Sequence, residues 1–337
     1  MNKGLAAAGF AAAMSLVSAV SAEPLQYKFA YPASPQGLLN VQGFVPWSEQ
    51  VTKDSDGTLE VKVFAGGTLA NFGNVYDRVI NGVIEVGFGI FGPISSDFPK
   101  TNVVTLPFET KTGDEAAMAL WRLYEKGIVA SEFTRVKLLG FSVFPNVSLH
   151  SRSKPIKTAD DIKGWKISAE GRVLSRSLES LGAAPVTLSA TELYQALQRG
   201  TIDAAAISFP AILTFKLDEV SKFHLQVPLA NDNGFAFMNK DAYAKLPDAA
   251  KKAVDRNSGE VYTRKFIQIV KNMTDGARDV VQKQADQVVA TLDPAEEARW
   301  REKVAPSVEA WVQSTPDGPA VLAAYRDEVK KIRAGNM

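Results

Sequence analysis

The chain contains no cysteine. This absence excludes a disulfide framework, a thiolate metal site, a catalytic thiol and a lipid-modified cysteine. A chain of 337 residues can bury enough apolar surface to be stable without disulfides. Histidine is almost as scarce, because only His150 and His224 are present, and neither has partners at a metal-binding spacing. We therefore expect no metal site, and no motif indicates a cofactor.

The sequence also lacks an excess of one charge sign. It has 38 basic and 37 acidic residues, a formal net charge of +1. No basic face favours nucleic acid or an anionic membrane as a partner. Motifs of catalysis are missing too, since neither His-Glu-x-x-His nor Gly-x-Ser-x-Gly occurs. The glycines of Gly87-Phe-Gly-Ile-Phe-Gly92 match a dinucleotide motif, but prolines at 93 and 99 interrupt the helix that such a site requires.

One long apolar segment is present, at the N-terminus. Lys3 precedes an alanine-rich run from Leu5 to Val20, and Val20-Ser-Ala22 has the small residues of a cleavage site. A run of about 16 residues is shorter than the roughly 20 that span a membrane. We predict that residues 1–22 are a signal peptide and that a soluble, exported protein without a lipid anchor begins at Glu23. A retained N-terminal anchor is the alternative.

Two segments, 75–92 and 193–210, share one pattern: a short amphipathic helix, a glycine that ends it, and a buried strand. Aligned without a gap, they match at Tyr76/Tyr194, Gly82/Gly200, Ile84/Ile202, Glu85/Asp203 and Phe91/Phe209. Their separation, 193 − 75 = 118 residues, is too wide for a solenoid repeat but fits two similar α/β lobes. Because ligands bind at the carboxyl ends of such strands, the loops that follow them should face one cleft. Chance recurrence of the pattern is the alternative.

Three stretches, the last of them inside the second repeat segment, resemble the substrate-binding proteins of tripartite ATP-independent periplasmic (TRAP) transporters. They are Asp160-Asp-Ile-Lys-Gly-Trp-Lys-Ile167, Leu181-Gly-Ala-Ala-Pro-Val186 and Leu193-Tyr-Gln-Ala-Leu-Gln-Arg-Gly-Thr-Ile-Asp203. Shorter sequence matches to the same family occur before and after these stretches, in the family's order, over nearly all of 25–315. The resemblance implies an α/β periplasmic binding protein fold with two lobes, a hinge and a long helix that spans both lobes. It also implies a periplasmic monomer that captures a small organic acid and delivers it to a TRAP membrane permease.

We expect the lobes to divide the chain discontinuously. Lobe I should comprise 23–145 plus 234–273, and lobe II 146–233 plus 274–337. The chain crosses between them near 146–150 and 231–235. The helical pattern from Pro247 to about Gln284, with expected breaks at Gly259 and Gly276, supplies the lobe-spanning helix.

The sequence departs from the family at the residue that binds the ligand carboxylate. The family has an arginine where this chain has Ser168, and a second arginine of some members is replaced by Val147. Arg172, four residues after Ser168, is our candidate for the missing cation, because a planar guanidinium pairs with a carboxylate in two places. A solvated arginine at a helix start is the alternative. Lys166 and Arg176 are weaker candidates.

The remaining candidate ligand-binding residues lie in or near loops that should face the cleft. Five are phenylalanines, which together indicate an apolar or aromatic organic acid: Phe72, Phe88, Phe91, Phe209 and Phe235. Ser208 can add a hydrogen bond at the end of the second repeat strand. Asn231 lies in the second crossover, where a role as a turn residue also explains it.

Two other functions remain open from the residues alone. An exported α/β enzyme acting on a small organic acid or ester would need a nucleophile and a base, which no motif supplies. A structural protein of the cell envelope would bind no small ligand. The sequence does not name the ligand, the coupling ion or the permease.

Overall fold

The computed structural model describes residues 23–145 and 147–335. The predicted signal peptide, 1–22, lies outside the described residues. The strands are β1 Leu25–Ala30, β2 Leu59–Phe64, β3 Val86–Ile90, β4 Val136–Phe144, β5 Val147–Ser151, β6 Lys166–Ser168, β7 Ala184–Val186, β8 Ala204–Ser208, β9 Phe223–Gln226, β10 Asp232–Asn239 and β11 Val288–Thr291. The α-helices are α1 Val45–Asp54, α2 Val75–Ile80, α3 Gly113–Glu125, α4 Arg172–Ser180, α5 Leu193–Arg199, α6 Phe209–Thr214, α7 Lys240–Ala244, α8 Asp248–Arg256, α9 Glu260–Lys283, α10 Pro294–Ser314 and α11 Gly318–Arg333.

Each lobe is built on one mixed sheet. The sheet of lobe I has the order β2-β1-β3-β10-β4, and that of lobe II has the order β11-β9-β5-β8-β6-β7. Strands β3 and β8 lie inside these sheets and are largely apolar, since they are covered on both faces. Two α/β lobes were expected from the sequence, and the structure confirms this fold class.

The two repeat segments occupy equivalent places in the two sheets. Strand β3 is parallel to β1 and antiparallel to β10, and β8 is likewise parallel to β6 and antiparallel to β5. Gly82 and Gly200 end the preceding helices with φ of 71° and 70°, which glycine adopts without strain. The Glu85 carboxylate accepts from the Lys28 amide at 2.8 Å, as does the Asp203 carboxylate from the Lys166 amide. The repeat therefore extends to individual hydrogen bonds, beyond a chance recurrence of helix, glycine and strand.

The chain crosses between the lobes where β4 leads into β5 and where β10 begins. Helix α9 provides a third connection. Its first half packs into the core of lobe I through Tyr262 and Phe266, and its second half packs into lobe II through Ala277 and Val281. Gly276 lies between these halves, inside one continuous helix, whereas the sequence indicated a break there. The second expected break, at Gly259, is present, and this glycine is the N-cap of α9.

The two C-terminal helices belong to different lobes. Helix α10 packs against α4 of lobe II, while α11 packs against α3 of lobe I. The side chains of Val321, Tyr325 and Val329 lie in the core of lobe I. Segment 274–337 was assigned to lobe II, and the placement of α11 departs from that boundary, because the apolar face of α11 is covered by α3. No helix within 23–145 or 147–335 has both the length and the apolarity to cross a membrane.

Candidate functional site

A cleft of about 450 Å³ lies between the lobes. Its walls come from the carboxyl ends of β1, β3, β6 and β8 and from the start of β10, so both repeat segments contribute to it. This is the edge at which open α/β sheets bind their ligands. The volume lies in the range of small-molecule sites, about 300–1,000 Å³.

Seven of the residues that line the cleft are aromatic. Phe72, Phe88 and Phe91, all expected from the sequence, line the cleft. Further aromatic lining residues are Tyr31, Phe144, Phe215 and Trp311. Rings at these positions offer flat apolar surface to a ligand and favour offset or edge-to-face contacts with another ring.

Two of the expected phenylalanines lie elsewhere. Phe209 is 1% exposed, and its ring contacts His150 with 5.4 Å between ring centroids. Phe235 is fully buried and stacks on Phe91 at 4.4 Å. Neither lines the cleft. Phe91 and Phe209 nevertheless pack in equivalent ways, because each contacts a ring on the strand by which the chain enters its lobe from the other one. Only Phe91 also reaches the cleft.

Two arginines on one helix face line the cleft. Arg172 begins α4 and is exposed, and Arg176, one turn later, is half-buried. Among the described residues, neither arginine has a salt-bridge partner, whereas many surface arginines do. Unpaired guanidinium groups in a concave site favour an anion there, and the free amides at the start of α4 add to the positive potential.

Some polar residues at the site already form side-chain hydrogen bonds within the protein, and others can still bind a ligand. Ser168 Oγ accepts from the Ala206 amide at 3.2 Å, so this hydroxyl already joins β6 to β8. Asn231 Nδ2 donates to Val104 O at 2.8 Å and ties the crossover to lobe I. Ser208 lines the cleft, and its amide donates to Asp232 at 3.0 Å. Asn233 is 4% exposed, and neither of its side-chain polar atoms has a hydrogen-bond partner within 23–145 and 147–335, which leaves both for a ligand.

The cleft also contains two carboxyl groups that the sequence reasoning missed. Glu170 follows β6, and Asp232 begins β10. Burial, followed by the nearby charge of Asp232, raises the pKa of Glu170 to about 7. Burial also raises the pKa of Asp232, although Ser208 hydrogen bonds oppose the shift. A signal for Glu170 was present, because it follows the same strand end as Ser168.

A buried histidine pair lies behind the cleft. The Nδ1 atoms of His150 and His224 are 2.9 Å apart, and His150 Nε2 donates to Ile207 O at 3.0 Å. Because a carbonyl only accepts, Nε2 of His150 carries a proton and its Nδ1 accepts from His224. Burial lowers the pKa of His150 to about 3 and also lowers that of His224.

This pair should make the protein less stable in acid. Unfolded histidines bind protons below about pH 6.5, whereas the folded pair stays neutral to a lower pH. The contribution of the pair to the free energy of unfolding should therefore decrease as the pH falls below about 6.5, by up to about 1.4 kcal/mol per histidine and pH unit. The raised pKa of Glu170 acts in the opposite direction over the same range. Denaturant titrations of the parent and of His150→Gln at pH 7.5 and 5.5 therefore measure the contribution of the pair as a difference. The same pH dependence in both proteins would contradict the assignment.

A family model matches most of the chain. The family is DctP, described as bacterial extracellular solute-binding protein, family 7, and the match covers residues 29–314. Among curated relatives, the C4-dicarboxylate-binding periplasmic protein DctP of Rhodobacter capsulatus is 26% identical over 339 residues, which covers 95% of this chain and 91% of that protein.

Solved structures of TRAP solute-binding proteins are similar over the whole fold. One, from a marine metagenome, is described as specific for aromatic acid ligands and holds 3-hydroxybenzoate. It is 25% identical, with a TM-score of 0.86, and the match covers 91% of this chain and 98% of that chain. Another, from Rhodoferax ferrireducens T118, holds copurified benzoate. It is also 25% identical, with a TM-score of 0.86 and coverage of 93% and 100%.

Proposed function

Because the chain belongs to family 7 of the bacterial extracellular solute-binding proteins, we propose that it captures an aromatic carboxylic acid and delivers it to a TRAP membrane permease. The matching family and structures are transport proteins, so the chain is a binding protein and the enzyme alternative is not retained. We further propose that it acts in the periplasm, as an exported monomer without a lipid anchor.

One observation carries the choice of ligand: unpaired Arg172 and Arg176 lie in a cleft whose walls are aromatic. An aromatic acid matches both features, since its carboxylate can pair with a guanidinium and its ring can pack between phenylalanines. The benzoates held by the two similar solved structures support this choice. A C4-dicarboxylate, which gives the Rhodobacter relative its name, would leave the aromatic walls without a ring to contact.

The site residues follow from the same geometry. We propose that Arg172 and Arg176 hold the carboxylate and that Phe72, Phe88 and Phe91 hold the ring. Asn233 and Ser208 are the neutral groups available for hydrogen bonds with the ligand. Phe209, Phe235 and Asn231 support the walls and the crossover, because their side chains are committed to contacts within the protein.

Ligand binding should raise thermal stability. A ligand that binds only the folded, closed protein adds roughly 2.7 kcal/mol at about 100 times its Kd. For a chain of this size the melting temperature should rise on the order of 3–8 °C. Differential scanning calorimetry with benzoate, 3-hydroxybenzoate and succinate tests this expectation. No shift with either aromatic acid, together with a shift with succinate, would contradict the proposed ligand class.

A further inference from the structure

Glu170 forms a contact between the lobes at the cleft. It belongs to lobe II, while Gly92 follows β3 in lobe I. A methyl group added to Gly92 would stand 2.7 Å from Glu170 Oε2 and 3.2 Å from its Cβ. The Glu170 side chain therefore lies directly on the backbone of the opposite lobe and becomes enclosed when the lobes close.

The charges around Glu170 are not neutralised by an ion pair. Asp232 on β10 and Glu192, just before α5, both act on it with like charge, and the Ala190 amide is the donor that favours its ionised form. On its own side, Arg172 and Arg176 line the same cleft, but neither forms a salt bridge with Glu170 among the described residues. On the side of lobe I, Glu170 lies against Gly92, which carries no charge.

The charge balance of the closed cleft depends on Glu170. Two guanidinium groups balance two carboxylates when the cleft is empty, so a bound monocarboxylate adds one uncompensated negative charge. An uncompensated charge in an enclosed site is costly, and a carboxyl group usually neutralises itself by taking up a proton. Asp232 and Glu170 each accept from one backbone amide, that of Ser208 and that of Ala190. Glu170, however, is the carboxyl that lies against Gly92 of the opposite lobe, so its burial depends on closure and it is the group that protonates.

We propose that Glu170 couples ligand capture to proton uptake: it is protonated in the closed complex and faces the bound acid as a neutral carboxyl group. This inference rests on the proposed function, since it concerns the same site. The neutral Glu170 carboxyl can donate a hydrogen bond to a ligand oxygen, whereas its ionised form would add a second negative charge beside the bound carboxylate.

The burial and like charge that raise the pKa of Glu170 to about 7 support proton uptake on closure. A group whose pKa is higher in the closed state favours closure below that pKa. Affinity should therefore fall as the pH rises from about 5 to about 7, by up to about tenfold per pH unit, and should change little above pH 8. Benzoate itself stays ionised over this range, because carboxylic acids titrate near pH 4.

Isothermal titration calorimetry with benzoate between pH 5.5 and 8.5 tests this inference, in two buffers of different ionisation enthalpy to count protons. The parent protein should take up a proton on binding near pH 6 and lose affinity as the pH rises to 7.5. Glu170→Gln should bind with an affinity that does not depend on pH and with no proton uptake. Glu179→Gln, an exposed position on α4, is the matched control and should behave like the parent.

A parent affinity for benzoate that does not change with pH, or a pH dependence kept in Glu170→Gln, would overturn the role of Glu170 while leaving the proposed function intact. Failure of benzoate and 3-hydroxybenzoate to bind at any pH would refute the inference and the proposed function together.

Discussion

Arg172→Ala should weaken benzoate binding by roughly 30-fold. Removing one member of an enclosed charge pair costs about 2–5 kcal/mol. Because Arg172 is exposed in this structure, we expect the lower end of that range. About 2 kcal/mol corresponds to roughly 30-fold, at 1.4 kcal/mol for each factor of ten. Titration calorimetry at pH 6.5 measures the loss, and the melting temperature of the unliganded variant should change little, since Arg172 has no ion pair to lose.

Further variants of cleft residues distinguish the effect of the planar guanidinium group from the effect of its positive charge. Arg172→Lys should recover only part of the affinity, because an ammonium group does not reproduce the planar fork. The double variant Arg172→Ala with Arg176→Ala should bind more weakly than either single variant. Arg199→Ala, on the exposed end of α5 and outside the cleft, is the control and should match the parent. Parent-like affinity in Arg172→Ala would transfer the anchoring role to Arg176 or to neutral donors.

Gly140→Ala should lower the free energy of unfolding by about 3 kcal/mol. Gly140 lies on β4, where α9 packs most closely on the sheet of lobe I. An added Cβ would stand 2.3 Å from Tyr262 Cδ1, and the Tyr262 ring is buried and cannot move aside. Overpacking of this kind costs about 1–3 kcal/mol, occasionally more. Denaturant unfolding measures the change.

Gly276→Ala is the matched control for this prediction. It is the same substitution on the same pair of elements, but no atom lies within 4 Å of the added methyl group. In a helix interior, alanine is more stable than glycine by roughly 0.5–1 kcal/mol, so this variant should be more stable than the parent. Equal destabilisation by both substitutions would show that close packing of α9 on β4 does not explain the effect.

The sequence predicted the elements whose signals are local. The glycine stops at 82 and 200 and the periodic pattern through α9 depend on residues a few positions apart. The two-lobe organisation also followed, because the repeat placed equivalent strands in two sheets. These features depend on backbone geometry that the local residues themselves impose.

The site was harder to predict because lining a cleft depends on side-chain direction. Phe91 and Phe209 follow equivalent strands, yet Phe209 opens α6 and points into the core, where its ring contacts His150. Glu170 was missed because its importance arises from Gly92 and Asp232, which are distant in sequence. The placement of the C-terminal helix α11 in lobe I was missed for a similar reason. It depends on contact with the apolar face of α3, which is distant in sequence.

The identity of the small molecule that occupies the cleft in the cell is the most direct test of the proposed function. Mass spectrometry of protein purified from the periplasm under native conditions, without added ligand, identifies that molecule. We predict an aromatic acid with one carboxylate, bound in a ratio of about one per chain and lost in Arg172→Ala. A bound dicarboxylate, sugar or uncharged solute, retained equally by the parent and by Arg172→Ala, would contradict the account.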